Sequence, residues 1–220
     1  MRIIEPAFKL STPYAPFLVR PDGIQMLRFI ELQGRISHRS EDKMLPDSWE
    51  RFIKAVVLEH GDWSIVEHAS LTCTIRMDRG ICLEMVRHRL FSYTMESTRF
   101  VRYRDELEFI RPTELKPSDS AVWELAMKQS EQSYSALLAL GNRPQEARSV
   151  LPNALAATIA VTGNLRSFRH LFLMRTSRET HADFRRLTVP MLEEFKKVVP
   201  LIFDDIEPNA RQIDNLRKAR

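Results

Sequence analysis

Cysteine is scarce in this sequence of 220 residues, with only Cys73 and Cys82. Two thiols that do not form a CxxC pair exclude a disulfide framework, so a reducing compartment, the cytoplasm, is the expected setting. Each cysteine lies in an otherwise apolar stretch, where a thiol packs like a small hydrophobe, and both are expected to be buried. No uncharged run approaches the length needed to span a bilayer, and MRIIEPAFKL at the N-terminus lacks the apolar core of a secretion signal. Neither membrane insertion nor export is therefore expected. Repeats, low-complexity segments and long linkers are also missing, which leaves one compact domain as the simplest account. Charge of one sign is not in large excess: the formal net charge is +4. That balance suits an anionic small ligand, whereas nucleic-acid binding usually brings a stronger basic patch.

What is present is helical periodicity with a few strands. Asp22–Gln33 and Asp47–His60 read as amphipathic helices, the second started by Pro46 and Asp47, faced by Phe52, Val56 and Val57, and ended by Gly61. Leu71, Cys73, Ile75 and Met77 alternate with Thr72, Thr74, Arg76 and Asp78, the period of a half-buried strand. A short helix is expected over Ile81–Arg87 and a strand around Leu107–Ile110. A long helix should follow Asp119 as N-cap and run to Leu140, with Gly141 closing it. Pro144 opens a shorter helix that Pro152 stops. Ala156–Thr162 is a candidate strand, GNLRSFRHLFLMR a helix, and Glu179–Val199 a last helix that must kink or restart at Pro190. Strands this few and scattered do not make a βαβ series. The expected class is α+β, a small antiparallel sheet packed with several long helices in a single domain.

The stretch RHRLFSYTMESTRF, residues 87–100, concentrates Arg87, His88, Arg89 and Arg99 around hydroxyls and aromatic rings. Successive helical residues point about 100° apart, so three in a row cannot share a face. Either the chain leaves the helix there or the three side chains serve different ligands or subunits. The competing explanation is electrostatic, since cations are favoured at a helix C-terminus. Ser97, Thr98 and Arg99 together offer hydroxyls, backbone N–H groups and a guanidinium, the makings of a phosphate cradle. Further arginines follow: Arg148 after Pro144, and Arg166, Arg169 and Arg175 on the helix after Gly163, alongside His170. That helix is strongly apolar, so some of its arginines must be buried or interfacial and need an anionic or hydrogen-bonding partner. His60, Glu67 and His68 in HGDWSIVEHASLT match no zinc spacing, so no metal is expected and Glu67 and His68 read as capping or hydrogen-bonding at the strand's start.

Arg87-His88-Arg89, seven residues, Ser97, one residue and Arg99 resemble the RHR-x7-S-x-R signature of the flavin-dependent thymidylate synthases. HGDWSIVEHASLTCTI, PQEARSVLP and GNLRSFRHLFLMR are similar to three more segments of that family, in the same order, together covering roughly residues 55–185. The resemblance implies a homotetramer of α+β subunits, each a single domain over residues 1–220, with active sites at subunit interfaces. It implies FAD as cofactor, dUMP as substrate, methylenetetrahydrofolate as carbon donor and NADPH as reductant, with dTMP as product. By the same resemblance Ser64, Arg87, His88, Arg89, Asn164, Arg166 and His170 would contact FAD. Glu84, Arg87, Ser97, Thr98, Arg99, Arg148 and Arg175 would contact dUMP, with Ser97, Thr98, Arg99 and Arg148 on the phosphate and Arg175, the candidate catalytic residue, at the uracil.

Three positions depart from the family pattern. Glu84 stands where Gln is usual, Met95 where Glu or Gln is usual (with Glu96 adjacent), and Phe100 where Tyr is usual. Glu84 reads as able to pair with an arginine instead. The residue inventory suits a reaction in which cofactors supply the chemistry and the protein binds, orients and polarises. Arg175 would stabilise negative charge on the uracil. Ser97 lacks the adjacent base that a serine nucleophile needs, and neither cysteine lies in a motif, so no covalent thiol intermediate is expected. The rival class is a basic nucleic-acid-binding module tracking phosphates with these arginines; it lacks an aromatic stacking pattern or a known motif. A yellow protein would separate the two.

Overall fold

The computed structural model describes residues 1–11, 22–103, 106–211 and 214. Two strands open the chain, β1 (Arg2–Ile4) and β2 (Ala7–Ser11), neither of them expected from the sequence. Helix α1 (Gly23–Ile36) starts where predicted, with the Asp22 carboxylate accepting from the Gln25 amide at 3.1 Å. Helix α2 (Ser48–Phe52) passes directly into a wider π-type stretch, Ile53–Glu59, closed by the His60 amide donating to the Ala55 carbonyl at 3.0 Å. The wider winding turns the buried face to Ile53 and Val57, whereas Phe52 and Val56 are only half-buried. Gly61 ends the segment in the left-handed region, φ +86°.

Strand β3 (Ser70–Asp78) buries Leu71, Cys73, Ile75 and Met77, as the alternation requires. Helix α3 (Arg79–Met85) is capped by Asp78, whose carboxylate accepts from the Ile81 amide at 2.9 Å. Strands β4 (Ser92–Met95) and β5 (Glu108–Ile110) follow, then α4 (Ser120–Ala139), α5 (Pro144–Ala147) with a 3-10 turn at Arg148–Val150, β6 (Ala156–Asn164), α6 (Leu165–Arg175) and α7 (Ala182–Val198). Pro190 neither stops nor restarts α7. The helix continues through it because its buried face (Phe184, Leu187, Met191, Leu192, Phe195) outweighs one lost rung of the ladder. No helix among the described residues is long and apolar enough to cross a membrane.

The fold is α+β. Its main sheet has the order β2-β3-β6-β4. β3 and β6 are antiparallel: the Leu165 amide donates to the Ala69 carbonyl at 2.9 Å, the Thr72 and Thr162 hydroxyls meet at 2.8 Å, and the Arg79 amide donates to the Leu155 carbonyl at 3.0 Å. A separate parallel pair joins β1 to β5, with Arg2 opposite Glu108 and Ile4 opposite Ile110.

The residues fall into two compact units. The first comprises Met1–Phe8, Thr74–Arg87 and Tyr93–Ala160, and its core gathers Leu107, Phe109, Met127, Tyr134, Leu138, Ala147 and Leu155. The second comprises Lys9–Cys73, His88–Ser92 and Val161–Arg220. Its centre is aromatic: Phe168 and Phe172 of α6 meet Phe195 of α7 at 4.7 and 4.9 Å, and Phe203 packs edge-on to Phe195 at 5.4 Å. Such edge contacts add about 0.5–1.5 kcal/mol each beyond burial, so α6 and α7 form a stiff platform for the side chains they carry.

Candidate active site

In the first unit, α3 ends at Met85, and Arg87 closes it by donating its amide to the Glu84 carbonyl at 3.2 Å. Arg87, His88 and Arg89 therefore lie beyond the helix, which starts and ends two residues earlier than expected and takes the first of the two alternatives that three consecutive basic residues left open. Glu84 and Arg87 sit on this C-terminal turn, Glu84 half-buried and Arg87 exposed. The Tyr93 hydroxyl donates to the Met85 carbonyl at 2.7 Å, which ties β4 back to the end of α3. Burial there pushes the Tyr93 phenol up to about 12.

β4 leads into the hydroxyl-rich turn. The Ser97 carbonyl accepts from the Phe100 and Val101 amides at 3.2 and 2.9 Å, and the Ser97 hydroxyl accepts from the Arg99 amide at 3.3 Å. The turn is thus closed on itself by local bonds. Thr98 is buried, and Arg148 donates to its hydroxyl at 3.2 Å. Ser97, Thr98, Arg99 and Arg148, separated by up to 51 positions in sequence, occupy one locality of this unit. Arg99 is exposed and lies 5.4 Å from the centre of the Phe100 ring, so the phenylalanine flanks the guanidinium.

Glu96 makes a network of its own, which the sequence did not disclose. Its carboxylate accepts from Arg76 at 3.0 Å, from the Thr158 amide at 3.2 Å and from the Tyr103 hydroxyl at 2.5 Å. Arg76 also reaches Glu108 at 2.5 Å and the Thr158 hydroxyl at 2.9 Å. Burial, then the bond to Glu96, raises the Tyr103 phenol well above its ordinary range. The signal lay in β3: a long cation at Arg76 on the polar side of an alternating strand needs cross-strand partners.

In the second unit, Asn164 caps α6, its side-chain oxygen accepting from the Ser167 amide at 2.8 Å. That bond fixes the Asn164 side chain at the start of α6. His88 and His170 approach edge-on, with ring centres 6.3 Å apart. Arg175, the last residue of α6, donates through Nε to His88 Nε2 at 2.9 Å and lies over the Phe184 ring at 4.8 Å. Its carbonyl accepts the Thr188 hydroxyl at 2.7 Å. A guanidinium Nε can only donate, so His88 Nε2 is the acceptor and the imidazole carries its proton on Nδ1. Burial, then the charges of Arg175 and His170, hold the His88 imidazole down at about 4, which keeps it neutral near pH 7. This pair was not anticipated from the sequence, where the two residues are 87 positions apart.

Phe91 holds the His88–Ser92 segment in place. Its ring meets Phe168 at 4.9 Å and fills the space beside Gly163, where any Cβ would come within 2.3 Å of the ring. Arg89, Arg166, His170 and Ser64 are all exposed. Arg166 donates to Glu67 at 2.6 Å, so of the two roles expected of Glu67, capping or hydrogen bonding just before β3, it takes the second, with an α6 arginine as partner. The buried arginine that the apolar α6 pattern required is Arg169. It makes two bonds to Asp205 at 2.6 and 2.5 Å, a third to the Ile202 carbonyl at 2.7 Å, and stacks 4.3 Å from the centre of Trp63. Arg169 is therefore structural.

The donor set of this unit fits a flavin dinucleotide: exposed guanidinium and imidazole groups suit a diphosphate, and the Arg166–Glu67 pair is exposed enough to exchange its partner at little cost. Cys73 and Cys82 are buried, and burial pushes both thiols up to about 12, so neither supplies a thiolate nucleophile. A cavity of about 570 Å³ in the first unit, lined by Arg2, Arg76, Tyr103, Glu106 and Glu108 among others, contains none of the expected site residues. The exposed cations stand on the surface of the chain.

Residues 24–201 match the family described as thymidylate synthase complementing protein. The flavin-dependent thymidylate synthase of Mycobacterium avium is 32% identical over 217 residues, covering 90% of this chain and 86% of that protein. The enzyme of the same description from Saccharolobus solfataricus is 36% identical over 171 residues, covering 77% of this chain and 65% of that protein. The fold is also that of the UMP/dUMP methylase PolB from Streptomyces cacaoi, solved bound with 5-Br dUMP, at a TM-score of 0.72 and 22% identity over 93% of this chain and 96% of that one. A family match over most of the chain and relatives 32 and 36% identical to it show that the chain belongs to the flavin-dependent thymidylate synthase family, a family of enzymes.

Proposed function

We propose that the protein converts dUMP to dTMP, with FAD as bound cofactor, methylenetetrahydrofolate as carbon donor and NADPH as reductant. The observation that carries this reading is the closure of the Ser97–Thr98–Arg99 turn by Arg148 through the Thr98 hydroxyl at 3.2 Å. Two guanidinium groups and a serine hydroxyl carried in one locality suit a phosphate monoester dianion. Family membership supports the flavin and the pyrimidine substrate.

Ser64, His88, Arg89, Asn164, Arg166 and His170 of the second unit and Arg87 of the first would contact FAD. When bound, the flavin supplies the hydride chemistry that the side chains themselves lack. Ser97, Thr98, Arg99 and Arg148 hold the nucleotide phosphate, while Glu84 and Arg87 line the nucleotide's remaining length. Arg175 addresses the uracil: its Nε is committed to His88, so the terminal nitrogens of the guanidinium meet the ring carbonyl. There the fixed positive charge stabilises the anionic character that C5 needs to take up the one-carbon unit, and the C5 proton must then leave. His88, neutral and with its tautomer set, orients Arg175 without adding a second charge.

We also propose a homotetramer with active sites at subunit interfaces. Its support is the exposure of Arg87, Arg89, Arg99, Arg148 and Arg166 on a single chain, cations that a dinucleotide and a nucleotide need to find in an enclosed site. The test is the visible spectrum of the purified protein, followed by calorimetric titration with dUMP. A bound flavin and a saturable dUMP site are expected. A colourless protein that does not take up FAD, or a flavin-loaded protein indifferent to dUMP, would defeat the reading.

A further inference from the structure

We infer that Glu96 is a positioning residue for the nucleotide, acting by locking the two ends of the phosphate-binding turn together. The inference rests on the reading above, that the Ser97–Thr98–Arg99 turn takes the dUMP phosphate. Glu96 is the last residue fixed to the sheet before the turn, its amide donating to the Thr158 carbonyl at 2.8 Å. Its side chain then reaches forward across the turn. One carboxylate oxygen accepts the Tyr103 hydroxyl at 2.5 Å, and the other accepts Arg76 at 3.0 Å and the Thr158 amide at 3.2 Å. Tyr103 lies on the exit from the turn, and its own amide is tied to the Tyr134 hydroxyl of α4 at 3.4 Å. Residues 97–102 are thereby a short loop whose entry and exit are pinned to each other and to β3 and β6.

The charge logic points the same way. A carboxylate one residue from a phosphate cradle would repel the ligand if it faced it. Here the Glu96 side chain is only 18% exposed and is directed to Arg76, which is itself shared with Glu108 at 2.5 Å. Both Glu96 oxygens are engaged by the protein, so the side chain acts through the backbone of the next residues. Preorganised donors bind an anion with little further ordering, whereas a loosened loop must be ordered by the ligand.

Three variants test this: Glu96→Ala, which removes the lock; Glu96→Gln, whose amide can accept from Arg76 and Thr158 and donate to the Tyr103 oxygen; and Tyr103→Phe, which removes one hydroxyl. The readouts are amide hydrogen exchange over residues 97–102 in ligand-free protein, dUMP affinity by calorimetry and flavin content. Glu96→Ala should speed exchange across the turn and weaken dUMP by about 10- to 100-fold, the scale of losing a preset geometry, with flavin content unchanged. Glu96→Gln should stay within about threefold of the parent in affinity, and Tyr103→Phe should fall between. Unchanged exchange and affinity in Glu96→Ala, or in Tyr103→Phe should the alanine variant not fold, overturns the proposal. Equal losses in Glu96→Ala and Glu96→Gln also overturn it, because glutamine keeps the hydrogen bonds of the lock and the loss would then not come from the lock. A parent protein that takes no dUMP at all instead defeats the functional reading beneath it, and is seen before any variant is made.

Discussion

Replacing Arg175 by Ala removes a guanidinium fixed by Nε on His88 at 2.9 Å and by its face 4.8 Å from the Phe184 ring, and keeps the backbone carbonyl that accepts from the Thr188 hydroxyl. If its charge acts on the uracil as electron density builds there, kcat should fall by about 10²–10³-fold, the scale for one preorganised electrostatic donor. Flavin reduction by NADPH should persist, because that half-reaction does not involve the uracil; stopped-flow absorbance separates the two halves. Normal dTMP yield in a folded variant would make Arg175 structural. Arg99→Ala should instead weaken dUMP. A hydrogen bond to a charged group contributes about 1.5–3 kcal/mol, or about 10- to 150-fold in affinity, and FAD should stay bound. His88 gives a pH test. In the folded protein it titrates at about 4 against an ordinary 6.5, so the unfolded chain binds the proton first as pH falls. Its contribution to stability is complete above pH 6.5 and is lost as pH falls towards 4. Imidazole NMR should show the Nδ1-H tautomer at neutral pH. In Arg175→Ala the pKa should rise without reaching 6.5, because burial, the larger cause, remains.

At the scale of elements, the segment carrying His88 and Arg89 depends on Phe91 seated beside Gly163. Gly163→Ala places a Cβ 2.3 Å from that ring and must displace it, at a cost of about 1–3 kcal/mol for overpacking. The expected result is a folded protein with reduced flavin content, measured as the flavin-to-protein absorbance ratio; full flavin content would show that the segment's seat does not matter. The cysteines predict the opposite. Cys73→Ser with Cys82→Ser buries two hydroxyls, at about 1–3 kcal/mol each, yet turnover should survive because neither thiol takes part. A folded, flavin-loaded double variant that makes no dTMP would overturn the non-covalent mechanism. Elements with strong local signals were legible in advance: the capped α1, the alternating β3 and α4 closed by Gly141. β1, β2 and β4 were not, because strands this short acquire their identity from partners across the sheet and not from their own pattern. The site followed the same division. Contiguous motifs named their candidate residues, whereas Arg148 and Thr98 were foreseen only as two residues on one phosphate and not as bonded to each other. The Glu96 network and the His88–Arg175 bond join residues far apart in sequence, which no local period encodes. Arg169 shows the limit most clearly: α6 demanded a buried arginine, but only Asp205 and Trp63 reveal which one.

For the whole molecule, the account predicts that assembly and activity cannot be separated, since the cations meant for FAD and dUMP lie exposed on one chain. Sedimentation at assay concentration should show a tetramer, and a fully active monomer would contradict the interfacial site. A net charge of +4 is small enough that the anionic ligands are met by local constellations more than by a global field. The most direct test of the central claim is tritium release from dUMP labelled at C5, because methylation at that carbon must expel its hydrogen. Flavin-loaded protein supplied with methylenetetrahydrofolate and NADPH should release tritium to water in step with dTMP formation, and should form no dTMP when either is withheld. Flavin-loaded, tetrameric protein that binds dUMP but yields neither tritium nor dTMP under those conditions would contradict the account.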